Sequence, residues 1–267
     1  MKLTSITKKQ QEILKLLYRY RFADSRQIEV LMHHKDRRRV GAWLKDLREG
    51  GYIAWIYSTD FEKKTKPAIY YLAINGIRFM TSINEYPANE IRKRYRESSR
   101  RDSFIAICLL IVECAVHFEM RNASSDSLKY TFMTRADYLK SIGGSSTLLH
   151  LNPDIVVEKQ TQTRKELVIT NYLIQVFDST LPKHVVRKRL KDYASYIYEE
   201  DWRREFNGAE FIVHIVCQTT AGLIYMKQYM RFLLDDTPQD DTMKYIHFTT
   251  IDQLRRYGVT GRIWEEI

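Results

Sequence analysis

Three blocks of apolar residues at helical spacing open the chain, over residues 13–20, 28–32 and 40–47. Thr7 and Gln10 have the spacing of a capping box before the first block, and the run Ala23-Asp24-Ser25 interrupts the pattern and offers a new cap before the second. His33-His34 closes the second helix. The third helix is expected from about Asp36 to Glu49, because the glycine pair that follows favours a helix end.

Two short segments rich in β-forming residues follow, at residues 52–57 and 68–72, with a polar, basic loop at residues 58–66 between them. Three helices closed by a hairpin are typical of a winged helix-turn-helix. In that architecture the last helix before the hairpin enters the major groove of DNA.

Residues 102–267 alternate between helical and strand patterns. We expect helices at residues 102–121, 182–198, 222–234 and 251–257, and strands at residues 130–134, 154–158, 167–177, 211–217 and 244–248. This order predicts an α/β sandwich with a mixed sheet. The chain is therefore predicted to be an α+β or α/β protein with a DNA-binding domain at residues 1–90, a basic linker or helix at 91–101 and a second domain at 102–267.

The charge is unevenly distributed along the 267 residues. The formal net charge is +10 and the isoelectric point about 9.4. Residues 1–101 hold 23 basic and 11 acidic residues, a charge of +12, whereas residues 102–267 hold 20 basic and 22 acidic residues, a charge of −2. A positive excess confined to one part of the chain predicts a polyanionic partner for that part.

The candidate DNA-binding residues lie at the places that a winged helix reserves for DNA. They are Lys35, Arg37, Arg38, Arg39, Ala42 and Lys45 in or beside the third helix, Lys63, Lys64 and Lys66 at the hairpin tip, and Arg92, Lys93 and Arg94 in the basic segment. Taken alone, the helix run and the hairpin run are each more typical of a solvated charged surface, but the two together at these places favour DNA binding. The basic segment either extends the phosphate contact or only connects the two domains.

Other chemistry is sparse. Cys108, Cys114 and Cys217 form no Cys-x-x-Cys pair and are expected to be reduced, buried thiols. No Cys, Asp or Glu lies at ligand spacing from the histidine pair, so we predict no metal site and no cofactor.

The polar start predicts no signal peptide, and residues 104–118, which include Glu113, are expected to form a buried helix too short for a membrane. We therefore expect a cytoplasmic protein.

One constellation could carry catalysis. Asp154 begins a strand, and the next strand follows about twenty residues later, a spacing similar to the restriction-endonuclease-like fold. There an Asp and an Asp/Glu-x-Lys triplet hold a divalent metal that activates water. The matching positions here are Gln175 and Phe177, which are poor ligands, and Asp178 has the wrong strand parity. Lys188 on the next predicted helix is the candidate to replace the lost lysine. One carboxylate is too little for magnesium, so the site is predicted to be degenerate and the protein to be no enzyme.

The chain also resembles the replication-relaxation family, known from plasmids and other mobile elements. The strings that carry the resemblance include Thr7-Lys-Lys-Gln, Arg39-Val-Gly-Ala-Trp-Leu, Tyr71-Leu-Ala-Ile-Asn-Gly, Asn152-Pro-Asp-Ile-Val, Lys188-Arg-Leu-Lys-Asp-Tyr and Gly261-Arg-Ile-Trp. The resemblance implies a winged helix followed by an endonuclease-like domain, and a role in plasmid replication control or maintenance. It also implies a Glu-x-Asp where this chain has Gln175 and Phe177.

These observations predict a double-stranded DNA-binding protein that acts in replication control, transfer or maintenance of a mobile element. Two alternatives stay open: a metal-dependent DNA endonuclease that uses Asp154, and an adaptor that binds proteins through the second domain. The protein could also form a homodimer or bind replication or conjugation proteins, and we expect no interaction with a membrane.

Overall fold

The structure is a computed structural model that describes residues 6–57, 66–141, 147–234 and 242–267. The chain divides into two compact units, Met1–Val116 with Ala136–Gly143, and His117–Arg135 with Gly144–Ile267. The predicted break at residues 91–101 therefore differs from the observed one. Residues 102–116 belong to the first unit, because Ile105 and Cys108 form a buried cluster with Phe22.

The first unit follows the three predicted helices and the hairpin closely. Its elements are α1 (Lys8–Tyr20), β1 (Ala23–Asp24), α2 (Ser25–Leu31), α3 (Arg37–Glu49), β2 (Ile53–Ile56), β3 (Ile69–Leu72), α4 (Ile74–Ser82), α5 (Ala88–Arg92), a 3-10 helix (Lys93–Ser99) and the first part of α6 (Asp102–Ala123). Complete capping boxes start α1 at Thr7 and α2 at Asp24. Gly50 caps the carboxyl end of α3.

The core of this unit forms where α1, α3 and the small sheet meet. Ile13, Leu17, Val40, Leu44 and Leu47 are all buried, as their helical spacing predicts. The sheet has the order β1–β3–β2, with antiparallel pairs throughout. The sequence did not predict β1, because two residues are too few to show a strand pattern.

Helix α4 was also not predicted, and it packs against β2 and β3. Gly76 permits this close approach, since a Cβ at that position would overlap the carbonyl oxygen of Tyr52. The Asn75 side chain donates to the carbonyl oxygen of Gly50 at 2.9 Å, which ties α4 to the end of α3.

Helix α6 is longer than the sequence predicted. Its 22 residues would be long and apolar enough to cross a membrane by length and composition alone, which corrects the expectation that the stretch is too short. One such helix is weak evidence, because a core helix of a globular protein passes the same test. Leu110, Val112 and Ala115 are buried in this structure.

The second unit is built on a mixed sheet with the order β4–β5–β6–β7–β8–β9. Its elements are β4 (Leu128–Thr134), α8 (Thr147–Leu151), β5 (Ile155–Gln162), β6 (Leu167–Val176), α9 (Lys183–Tyr198), α10 (Asp201–Glu205), β7 (Glu210–Cys217), α11 (Thr220–Leu234), a 3-10 helix (Thr242–Tyr245), β8 (Ile246–Thr250), α12 (Ile251–Tyr257) and β9 (Glu265–Glu266), while α7 (Arg135–Ser141) lies almost wholly in the first unit. The predicted mixture of helices with a mixed sheet is confirmed.

The strand directions change once on each side of the central strands. β4, β5 and β6 pair antiparallel, β6, β7 and β8 pair parallel, and β9 pairs antiparallel with β8. The parallel strand β7 is buried over most of its length, as expected for a strand covered on both faces. Helices α9 and α11 pack against each other, and α11 also packs against β7 and β8.

Candidate functional site

Helix α3 begins at a well-formed cap that lies at one end of its basic surface. The Asp36 carboxylate accepts hydrogen bonds from the backbone of Arg38 at 2.9 Å and of Arg39 at 3.4 Å. These bonds satisfy two of the free N–H groups at the helix start. On the inner side, the Gln10 side chain donates to Asp46 at 3.4 Å and connects α1 to α3.

The outer face of α3 carries the predicted contact residues. Arg38, Arg39, Ala42 and Lys45 are all exposed, and Lys45 lies 3.8 Å from Glu49. This pair is solvent-exposed and therefore weak, so Lys45 remains able to exchange it for a phosphate. The structure thus brings the four outward residues onto one surface.

Three further predicted cations of the first unit are also exposed. Arg37 is exposed and donates to Glu29 on α2 at 2.7 Å. Lys35 precedes α3 and is exposed, and Lys66 is exposed just before β3. Lys63 and Lys64 lie outside the described residues.

An aromatic group on β2 adjoins the basic helix, and the sequence analysis did not include it. The Arg48 guanidinium lies 3.8 Å from the ring centre of Trp55, and Trp55 stacks on Tyr57 with ring centres 5.4 Å apart. Both rings remain more than two-fifths exposed. The signal was the run Trp-Ile-Tyr, because three large apolar residues in succession cannot all point inward from one strand.

The basic segment folds into α5 and the 3-10 helix, and its three candidate residues differ. Arg92 and Lys93 are exposed, with Lys93 paired to Glu90 at 2.5 Å. Arg94 is buried and donates to the Tyr18 carbonyl oxygen at 3.1 Å. Burial lowers the pKa of Arg94 to about 10. The prediction that Arg94 contacts DNA is therefore corrected, since its side chain stabilises the first unit from within.

The histidine pair has a local structural role. His33 adopts a left-handed backbone with a φ of 46°, where the chain turns between α2 and α3. The His34 ring packs edge-on against Trp43, with ring centres 5.0 Å apart, and its Nδ1 lies 3.1 Å from the Asp36 nitrogen. Within the described residues, no group of three or more His, Cys, Asp or Glu side chains could hold a metal ion.

In the second unit, Asp154 and Gln175 lie together as their strand positions predict. One Asp154 carboxylate oxygen accepts from the Gln175 amide at 2.8 Å and from the Val176 backbone at 2.7 Å. The Tyr193 hydroxyl on α9 donates to the Gln175 amide oxygen at 3.2 Å. The Gln175 side chain is 1% exposed. The amide therefore occupies the position where a second carboxylate would face Asp154.

The other predicted residues of this constellation lie apart from that pair. Phe177 is buried in the core, and Asp178 accepts a hydrogen bond from the Thr180 backbone at 2.8 Å. Lys188 is exposed and pairs with Asp192 on its own helix at 2.9 Å, so its role as a substitute lysine stays a prediction. Tyr193 was missed because it has no fixed spacing from the strand residue that it contacts.

Loss of water raises the pKa of Asp154 to about 6. The Val176 hydrogen bond and the charges of Arg189 and Arg135 oppose this shift without cancelling it. A carboxyl with a raised pKa is a feature of many catalytic sites, but structural networks produce the same shift. Here the hydrogen bonds to Gln175 and Val176 account for the geometry without a ligand.

Three comparisons with known proteins bear on this chain. A family model described as replication-relaxation matches residues 14–210. No curated protein matches the chain. A solved structure titled "Structure of restriction endonuclease FokI" is 9% identical, with a TM-score of 0.30, and the match covers 93% of this chain and 43% of that one. A likeness at this TM-score supports no conclusion about fold or activity.

Proposed function

The chain belongs to the replication-relaxation family, and we propose that it binds double-stranded DNA through its first unit. This binding would serve the replication, transfer or maintenance of a plasmid or another mobile element. The observation that carries the proposal is the outer face of α3, where Arg38, Arg39 and Lys45 are exposed around Ala42.

The first unit has the element order of a winged helix-turn-helix. Three helices precede the β2–β3 hairpin, and α3 is the helix that would enter the major groove. Its 13 residues correspond to a length of about 20 Å, and the groove is wide enough to admit such a helix. The +12 charge of residues 1–101 would attract the phosphate backbone.

The residues of the surface divide by the chemistry that they offer. Arg38 and Arg39 lie in the first turn of α3, where an arginine fork matches the two acceptors on the edge of a guanine. Ala42 presents a methyl group that suits the methyl of thymine. Lys35, Lys45 and Lys66 suit phosphate contacts, which position the protein without reading sequence.

The second unit is proposed to keep an endonuclease-like frame without cutting DNA. The support is the Asp154–Gln175 pair, in which an amide donates to the carboxylate at 2.8 Å instead of offering a second negative oxygen to a metal. Incubation of plasmid DNA with the protein and Mg²⁺ or Mn²⁺ tests this. Cutting that disappears in Asp154→Asn would replace the proposal with the nuclease alternative.

Replacement of Arg38 and Lys45 by alanine tests the assignment of α3. The double variant should bind duplex DNA about tenfold to a hundredfold more weakly, because it loses one base contact and one phosphate contact. The slope of its salt dependence should fall by about 1, since Lys45 is the phosphate-facing cation of the two. A control that removes Arg164 and Lys165, two exposed cations between β5 and β6, should leave both quantities unchanged. Equal effects of the two variants would reject the assignment.

The proposal extends to cellular context. A plasmid-binding role places the protein in the cytoplasm, and the symmetry of many helix-turn-helix binding sites favours a homodimer. The near-neutral second unit would then provide the dimer contact or recruit replication or conjugation proteins. Light scattering of the free protein and of its DNA complex measures the oligomeric state and so tests the homodimer.

A further inference from the structure

A cavity of about 220 Å³ opens within the second unit, on one face of its sheet. Tyr130 of β4, Tyr172 of β6 and His214 of β7 line it, together with Trp264 from the segment after α12. Side chains alternate along a strand, so Gln175 lies on the opposite face of β6 from Tyr172. The cavity is therefore separate from the Asp154–Gln175 pair.

Aromatic rings line this cavity as one cluster around His214. The Trp264 and His214 rings stack with centres 3.7 Å apart and an angle of 11° between their planes. Tyr172 lies 4.8 Å from His214, and His247 lies 5.6 Å from it on the β8 side. The Trp264 indole is fixed by a hydrogen bond to the Val259 carbonyl oxygen at 3.0 Å. The Trp264 and His214 rings contact each other and leave no space between them. A flat ligand would therefore stack on the outside of this ring cluster, because aromatic rings attract another π-system.

His214 is the polar group that needs a partner. Its residue is 6% exposed, and within the described part of the chain its ring nitrogens make no hydrogen bond. The ring nitrogens are not among the fully enclosed polar atoms of the described residues, and His214 lines the cavity, so they are open to it and available to a ligand. Burial lowers the pKa of His214 well below its ordinary value, which leaves a neutral ring with one donor and one acceptor.

A cation lies beside these rings. Lys159 of β5 is directly opposite Tyr130 in the antiparallel pair, so both side chains are on the cavity face. Lys159 is half-buried and forms no ion pair with a described residue. A ligand that combines a flat heterocycle with a nearby anionic group would satisfy both His214 and Lys159.

We propose that this cavity binds a nucleotide, with the base against Trp264 and His214 and the phosphate at Lys159. The cavity is smaller than the roughly 300–1,000 Å³ of pockets for drug-sized ligands, which fits one base and not an extended molecule. The nucleotide has two sources, a free nucleoside monophosphate or an unpaired nucleotide of DNA. The inference goes beyond duplex binding by α3 and does not depend on it.

Titration calorimetry of the full chain with the four nucleoside 5′-monophosphates, and with the four nucleosides, tests the free source. Lys159→Met should weaken binding of the monophosphates about tenfold, since one charge-assisted bond is lost, and should leave the affinity for the nucleosides unchanged. His214→Phe keeps a flat ring beside Trp264 but removes the donor and acceptor, so it should weaken both ligand sets about tenfold. Lys165→Met, which removes an exposed cation outside the cavity, is the matched control.

A duplex that carries one unpaired 2-aminopurine tests the second source. Stacking in the cavity should quench its fluorescence in the wild type and not in His214→Phe, while binding of the fully paired duplex stays the same in both. Binding through either source supports the proposal. No binding of any monophosphate at millimolar concentration together with no His214-dependent quenching overturns it, and the duplex-binding result for Arg38 and Lys45 is unaffected.

Discussion

The outer face of α3 and the Asp154 pair differ in how their polar groups are satisfied. On α3 the side chains of Arg38 and Arg39 are exposed, and the ion pairs of Arg37 and Lys45 are at the solvent. At Asp154 the carboxylate and the Gln175 amide satisfy each other, and Tyr193 completes the chain. Polar residues in the sequence can therefore form either an exposed surface that is available to a ligand or a buried network in which they bond to one another.

The contrast is energetic as well as geometric. Exposed cations contribute little to the stability of the free protein, because water solvates them already and salt screens them. Buried hydrogen-bonded groups contribute to stability as a set, since removal of one member leaves the others unsatisfied. Substitutions should therefore change DNA binding in one region and the free energy of unfolding in the other.

The largest expected effect lies at Glu97, a closed network inside the basic unit. Glu97 is 1% exposed and accepts from Arg21 at 2.8 and 3.0 Å, with Arg94 and Arg100 within 4 Å. Glu97→Gln leaves three arginines without their shared counter-charge and should reduce the free energy of unfolding by about 3–5 kcal/mol. Urea denaturation measures this change.

The matched control is Glu49→Gln, which breaks the exposed pair with Lys45 and should cost about 0.5 kcal/mol or less. Similar losses in the two variants would mean that the buried ion pairs of Glu97 contribute no more to stability than the exposed pair of Glu49.

Local signals made most of the first unit predictable. Thr7 with Gln10, Asp24 and the glycines after Glu49 fix helix ends through contacts within a few residues, so the sequence alone predicts them. The outward position of Arg38, Ala42 and Lys45 follows from the inward Val40 and Leu44 in the same helix.

Tertiary contacts explain the residues that the sequence could not place. Arg94 looks like its exposed neighbours Arg92 and Lys93, and only packing against Tyr18 shows that it is buried. Lys188 was a candidate for the Asp154 site because of its spacing, but helix geometry brings it to Asp192 one turn away. In the second unit, the spacing of the two strands grouped Asp154 with Gln175, which the structure joins by a hydrogen bond. The partner Tyr193 could be placed only once the position of α9 was known.

The Asp154 pair predicts an unusual dependence of stability on pH. Its pKa is raised from 3.8 to about 6, so the folded state holds this proton more tightly than the unfolded state. The contribution of this carboxyl is most favourable at pH values below about 4 and is lost as the pH rises through about 6. The asparagine of Asp154→Asn cannot ionise, so this variant does not lose stability in that way as the pH rises.

Asp154→Asn should therefore gain stability relative to the wild type by about 1–3 kcal/mol between pH 4 and pH 7. Chemical denaturation at the two pH values measures it, with Asp126→Asn at an exposed aspartate before β4 as the control. If the free energies of unfolding of the wild type and Asp154→Asn differ by the same amount at both pH values, the Asp154 carboxyl is not held in a closed network.

The smallest expected effect is on duplex binding and lies at Glu29, beside the outer face of α3. Glu29 of α2 pairs with Arg37 at 2.7 Å, and its own side chain is only 19% exposed. In the proposed DNA complex, Glu29 would compete with phosphate for the Arg37 guanidinium. Glu29→Gln should tighten duplex binding about threefold and steepen the salt dependence, because Arg37 becomes free to contact the backbone. Glu12→Gln removes an equal charge from an exposed pair with Lys9 on α1 and provides the comparison. Equal tightening in both variants would assign the effect to net charge and would remove Arg37 from the proposed contact surface, whereas tightening confined to Glu29→Gln would place that arginine at the DNA.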